Sequence, residues 1–134
     1  MLPTRYFQRS GPLRCFGFYT NAAKHAEVTS APAMITDKLG EPFNLYDGFC
    51  FGENLHLELD KLVVQAWRTE NWPPDADDSI VVLRLVEEND DTHLYLTHAE
   101  VPVSMAQGLR QGWHDFYWAK WTQYLSLHNA SIIN

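Results

Sequence analysis

The stretch Lys61–Trp72, KLVVQAWRTENW, decides how this chain folds once it is set beside Thr97–Pro102, THAEVP, and Gly112–Trp121, GWHDFYWAKW. The first runs apolar and β-branched up to Trp67-Arg68 and reads as a strand. The second reads as the end of another strand, stopped by Pro102, and the third as part of a C-terminal helix carrying three of the five tryptophans. Three indoles on one helix need a surface to bury them, and a sheet supplies one. No set of reactive side chains accompanies the three pieces, so they speak for architecture before chemistry.

Past Pro102, Ser104 and Gln107 form an S-x-x-Q capping box that starts a helix of about twenty residues running toward Leu127. Met105, Leu109, Trp113, Phe116, Tyr117, Trp121, Tyr124 and Leu125 share one side of it. Their arc is wider than the roughly 100° stripe with which a surface helix docks. Such a helix is gripped on more than one side, or it turns part of itself to a ligand or partner. Trp118 stands at the edge of the arc, where it can meet a second subunit, so a homodimer stays open.

Before Lys61, turn signals at Gly40-Glu41-Pro42, Asp47-Gly48, Gly52-Glu53-Asn54 and Asp60-Lys61 separate strands at Phe43–Tyr46, Phe49–Phe51, Leu55–Leu59 and Leu62–Arg68. Strict alternation puts Leu55, Leu57 and Leu59 on one, half-buried face. Val63/Gln65/Trp67 and Val64/Ala66/Arg68 are about equally apolar, which leaves the facing of that strand open. Ile80–Glu87 and Thr92–Val101, joined by the acidic turn Glu88–Asp91, complete an antiparallel meander. Upstream, Thr4–Gln8 reads as a short strand and Leu13–Tyr19 as a weakly helical stretch, against which Gly17 argues. Asn21–Ala26 is helical, capped by Thr20 or Asn21, and Pro32 bars its continuation.

With 134 residues, 46% hydrophobic and 20% charged, residues 1–134 are expected to form a single packed domain. The net charge of −7, from 17 acids against 10 bases, offers no basic stripe, so nucleic acid is not an expected partner. No stretch approaches the roughly eighteen apolar residues of a membrane span, and MLPTRYFQRSGPLRCFGFY lacks the apolar run of a signal peptide. Cys15 and Cys50 have neither metal-knuckle nor redox-pair spacing, which points to a cytoplasmic protein with two buried free thiols. The six histidines include no pair at metal-binding spacing, and there is no nucleophile elbow, paired catalytic carboxylate or phosphate loop. No catalytic residue, metal or cofactor is expected.

A strand, two short helices, a six-stranded antiparallel meander and a long C-terminal helix is the order of the α+β helix-grip fold, in which a curved sheet wraps the last helix. With that order go Lys24-His25, Ala31-Pro32-Ala33, Gly40, Phe43, Asp47-Gly48, Gly52, Asn54-Leu55, VVQAWR at Val63–Arg68, Trp72-Pro73, Thr97-His98, Val101-Pro102, Gly112-Trp113, Tyr117 and Tyr124-Leu125. Through these residues the chain resembles the START-like (SRPBCC) superfamily. Within it, the chain is similar to the C-terminal domain of activators of the ninety-kilodalton heat-shock protein ATPase. Residues 21–127 form the matching body, 1–20 a weakly matching segment and 128–134 a tail.

The resemblance implies a space between sheet and last helix that holds a small apolar or amphipathic molecule. An empty space of about 300 Å³ would cost on the order of 7 kcal/mol, rivalling a small domain's whole stability, so it is collapsed, wet or filled. The candidate lining is Leu57, Trp67, Leu83, Leu96, His98, Trp113, Tyr117, Lys120 and Trp121. For three of these a plainer account stands beside the functional one. Trp67 packs in the core while Arg68 pairs with a surface acid, His98 is a hydrogen-bonded core histidine beside Leu94 and Leu96, and Lys120 snorkels out along its stem. Two other functions stand beside ligand binding. The resemblance implies docking on a chaperone, which an acidic surface suits, and the same fold can carry an aromatase or cyclase with Lys120 or His98 as acid-base group.

Overall fold

The computed structural model describes residues 5–7, 12–88 and 91–129. The tip of the acidic turn at Glu88–Asp91 and the end of the tail lie outside them. In chain order the elements are β1 (Arg5–Phe7), α1 (Pro12–Thr20), α2 (Ala22–Thr29), β2 (Ala33–Met34), β3 (Pro42–Leu45), β4 (Cys50–Glu58), β5 (Leu62–Thr69), β6 (Ser79–Glu88) and β7 (Asp91–Ala99). The C-terminal helix follows in four pieces: a 3-10 turn (Val103–Met105), α3 (Ala106–Trp113), a π-helical turn (His114–Trp118) and α4 (Ala119–Asn129). The strands form one antiparallel sheet in the order β1-β7-β6-β5-β4-β3-β2, so β2 to β7 are a six-stranded meander and β1 closes onto β7. This is the helix-grip architecture.

One continuous core joins the sheet to all the helices. Val63 and Trp67 of β5, Val81, Leu83 and Leu85 of β6, and Leu94 and Leu96 of β7 are buried against Trp113, Tyr117, Trp118, Trp121 and Leu125. The ambiguity of β5 is thereby settled: Val63, Gln65, Trp67 and Thr69 face inward, while Arg68 turns out and pairs with Asp78 at 3.0 Å. A polar residue on the inward face needs partners. Gln65 accepts from Tyr19 Oη (2.7 Å) and donates to Asn54 Oδ1 (3.0 Å), and Asn54 Nδ2 donates to the carbonyls of Thr36 and Lys38. This buried line ties α1, β5, β4 and the loop before β3 together.

The first of the two expected short helices is well formed over Pro12–Thr20 despite Gly17, because Cys15, Phe16, Phe18 and Tyr19 are all buried and their packing outweighs a glycine cost of about 1 kcal/mol. Some expectations are corrected. β4 is one strand, not two, and its register shifts between Asn54 and His56. The bulge breaks the leucine alternation: Leu55 (41% exposed) sits within it, Leu59 (69%) lies beyond the strand end, and only Leu57 is half-buried. The S-x-x-Q box does not form, since neither the 3-10 turn nor α3 has a side-chain cap. Finally, the π turn adds width at His114–Trp118, so Tyr117 and Trp118 are buried side by side and Trp118, 4% exposed, presents nothing to a second subunit.

Two histidines fasten the C-terminal helix. His25 Nδ1 lies 2.8 Å from the carbonyl of Tyr19, which can only accept, so Nδ1 carries the proton and Nε2 accepts from Tyr117 Oη at 3.1 Å. His98 is the opposite tautomer. The indole N–H of Trp113 donates to its Nδ1 (3.0 Å), and its Nε2–H meets Ser79 Oγ (2.8 Å), whose hydroxyl donates to the carbonyl of Trp67 (2.6 Å). Both arrangements need a neutral ring, and burial pulls both histidines down from the usual 6.5 to about 4.

Two predictions follow from this packing. With both pKa values lowered on folding, the unfolded chain takes up protons first, so this part of the stability is complete above pH 6.5 and is lost as the pH falls toward 4. The fully buried His25 alone accounts for about 3 kcal/mol. Urea unfolding across that range should show the decline, with a shallower slope in His25→Gln. At Gly52 the strands approach so closely that a Cβ would fall 1.8 Å from the Ala66 carbonyl oxygen. Gly52→Ala should therefore cost about 3 kcal/mol or more in the same assay.

Candidate functional site

Where the turn between β3 and β4 meets the first half of the C-terminal helix, the grip leaves a cavity of about 560 Å³. β5 contributes Trp67 and Thr69, and Asn71 follows just beyond it; the turn contributes Tyr46 and Phe49, and β4 its first residue, Cys50. The helix contributes Ser104, Met105, Leu109, Trp113, Phe116 and Tyr117, with Gly108 and Gly112 between them. The two glycines leave the helix without side chains there. They lie one turn apart beside bulky neighbours, and a Cβ on Gly108 would meet nothing within 4 Å.

Of the candidate lining residues, the structure brings Trp67, Trp113 and Tyr117 to this wall. Their rings follow one another, Trp67 to Trp113 at 6.1 Å and a 30° tilt, and Trp113 to Tyr117 at 4.9 Å and 35°. Leu57, Leu83, Leu96, His98, Lys120 and Trp121 do not line it. Leu83, Leu96 and Trp121 are each 1% exposed, in a part of the grip filled by aromatic packing: Trp118 stacks on Trp113 at 5.6 Å, and Trp121 meets Trp118 and Phe18 edge-on at 5.4 Å. His98 stands behind the wall, holding Trp113 through its hydrogen bond. Leu57 and Lys120 are half-buried elsewhere on β4 and α4.

Tyr46, Phe49, Met105, Leu109 and Phe116 are the large apolar wall residues that the candidate set lacks. For the helical ones the signal was present, since Met105, Leu109 and Phe116 lie on the apolar arc, and Gly108 and Gly112 fall just past its edge. Tyr46 and Phe49 come from a turn whose position against the helix depends on tertiary contacts. Tyr46 donates its hydroxyl to the carbonyl of Phe116 and meets that ring edge-on at 5.1 Å.

The wall holds no Asp, Glu, Lys, Arg or His. Its titratable groups stay neutral: burial pushes the Tyr46 hydroxyl and the Cys50 thiol each up to about 12, and Tyr117 is raised well above its usual value, again by burial. A thiol so placed is a poor nucleophile. The wall's buried donors are used within the protein with one exception. Tyr117 bonds His25, Tyr46 bonds Phe116 and Trp113 bonds His98, but the indole N–H of Trp67, a residue 4% exposed, has no partner among the described residues. Chemically the site offers apolar and aromatic surface in an open-mouthed hollow, and it has no acid, base or metal-binding set of its own.

The fold and sequence have close counterparts. Activator of 90 kDa heat shock protein ATPase homolog 1 of Homo sapiens is 27% identical over 108 residues, covering 81% of this chain and 32% of that protein. The homolog of Dictyostelium discoideum is 22% identical over 102 residues, covering 76% of this chain and 27% of its own. The chain thus spans about a third of the length of these curated relatives. Among solved structures, PFC0360w, an HSP90 activator from Plasmodium falciparum, superposes with a TM-score of 0.82 at 19% identity over 96% of this chain and 94% of that one. CalU16 from Micromonospora echinospora gives 0.72 at 24% identity, over 92% and 76%. The family model for Activator of Hsp90 ATPase homolog 1-like protein matches residues 12–126, from α1 into α4, and the chain belongs to that family.

Proposed function

We propose that this protein is a non-enzymatic START-like domain that binds a small apolar or amphipathic molecule at the aromatic cavity between β5, the β3–β4 turn and the first half of the C-terminal helix. One observation carries the reading: about 560 Å³ of space walled by Tyr46, Phe49, Trp67, Trp113, Phe116 and Tyr117 in an otherwise collapsed grip. That volume lies in the range of small-molecule sites, and the wall combines apolar rings with a few uncharged polar groups. Gripping α4 with solid aromatic packing while glycines hold the space beside α3 open is the arrangement a binding site requires.

A second reading is favoured by the relatives. PFC0360w is described as an HSP90 activator and is matched over 94% of its length by this one fold, so a protein of this size suffices to carry that description. Docking of this acidic chain on a basic face of a ninety-kilodalton chaperone is the corresponding proposal.

The two readings separate in one variant. Gly108→Leu places a side chain into open space and removes a helical glycine, which adds about 0.5–1 kcal/mol of stability. The variant should melt at or above the wild-type temperature, yet lose the fluorescence enhancement that the uncharged dye Nile red shows with the wild-type protein. Undiminished dye binding would remove the cavity as the site. Stimulation of a purified chaperone's ATP turnover by wild type and variant alike would instead establish docking independent of the cavity.

A further inference from the structure

The shape and surroundings of the hollow narrow what it takes, on the footing that it is a binding site. Along the helix its lining runs from Ser104 to Phe116, about 18 Å at a rise of about 1.5 Å per residue, so the space is long. Cys50, Trp67, Trp113 and Tyr117 are buried and form its floor, while Phe49, Asn71, Ser104 and Phe116 are exposed and form its mouth. With no charged side chain in the lining, the hollow accepts an apolar chain and holds no partner for an ion inside it. A charged head on such a chain stays at the mouth, where the neighbouring charges select its sign.

Each of the three segments that form the mouth carries an acid. Asp47 lies in the turn between Tyr46 and Phe49, Glu70 lies between Thr69 and Asn71, and both are exposed. These two segments are adjacent, since the Glu70 amide donates to the Phe49 carbonyl at 2.8 Å. On the helix, Asp115 is exposed and follows Gly108 by seven residues, which places it over the same open edge. Bonds from His114 and Gln111 hold its carboxyl below the usual carboxylate range, so it is ionised at neutral pH. The neighbouring bases leave that balance negative. Arg68 turns out and pairs with Asp78, Arg110 falls two residues from Gly108 and so on the opposite side of the helix, and Lys120 comes a turn after Phe116, past the end of the lining. At such a mouth an anion meets repulsion and a cation attraction.

We propose that the hollow takes a single-chain amphiphile with a cationic head, the chain lying along Trp113 and Tyr117 and the head standing at the mouth among Asp47, Glu70 and Asp115.

Equilibrium dialysis at low salt with three probes of one chain length tests this: decyltrimethylammonium, decan-1-ol and decanoate, each kept monomeric. Wild type should hold the ammonium ion about tenfold more tightly than decanoate. Asp47→Asn, Glu70→Gln and Asp115→Asn combined should weaken the ammonium ion and strengthen decanoate, each about fivefold, with decanol unchanged. A merely loosened hollow would move all three probes in one direction. Glu58→Gln, Asp60→Asn and Glu87→Gln combined change the net charge equally at the far end of the sheet, and should move no probe by as much as about twofold. Gly108→Leu should abolish the binding of all three. Equal or tighter binding of decanoate, an ammonium preference that survives the first triple variant, or an equal response to the second overturns the cationic head while leaving the hollow a binding site. Decanol binding undiminished by Gly108→Leu, or no binding of any probe by wild type, overturns the head and the binding reading together.

Discussion

A neutral imidazole accepting a hydrogen bond from an indole holds this fold together at its centre. Trp113 reaches His98, His98 reaches Ser79, and Ser79 reaches the carbonyl of Trp67, so the C-terminal helix is bonded by way of β7 and β6 to β5. Each partner is committed to one role, because the backbone carbonyl at the end of the line can only accept. His25 does the same work from the other side, gripping Tyr117 for α1 and α2. Hydrophobic burial supplies most of the driving force for seating the helix, but it does not fix rotation about the helix axis. The two imidazoles do, and with rotation fixed the faces of Trp113 and Tyr117 are placed.

From that placement the division of the grip follows. On the α4 side, Trp118, Trp121 and Leu125 meet Phe18 and the strands in solid packing. On the α3 side the helix presents Gly108 and Gly112 to the turn after β3, and the strands cannot close the gap because Tyr46 is tied to the carbonyl of Phe116. One helix therefore has a filled half and an open half, and the difference lies in side-chain volume, not in the course of the backbone.

The architecture was largely legible. The apolar runs at Leu62–Arg68 and Ile80–Glu87, the stop at Pro102 and the indole-rich helix were sufficient for the meander and the grip, since all of them are local patterns. Local rules failed where a tertiary contact outweighed them. Gly17 stays in a helix because the side chains around it are buried, and the leucine alternation of Leu55–Leu59 is broken where the register shifts beside Asn54, a buried residue bonded to Gln65 and two loop carbonyls. Trp67, Trp113 and Tyr117 were recognisable at the cavity, while Leu83, Leu96 and Trp121 were equally apolar and equally inward. A sequence shows that a residue faces in. Whether it meets a neighbour or a space depends on how well the opposite element fills the gap, and that depends on residues such as Tyr46 and Phe49 whose position no periodicity encodes.

The π turn at His114–Trp118 has a further consequence. An unbroken α-helix locks every residue to one angular rule, so any change in the face shown by its first half must reappear in its second. The widened turn interrupts that rule between Trp113 and Ala119. Changes of residue size along α3 can accordingly reshape the hollow without rotating α4 off its bed, and the two halves are free to vary separately.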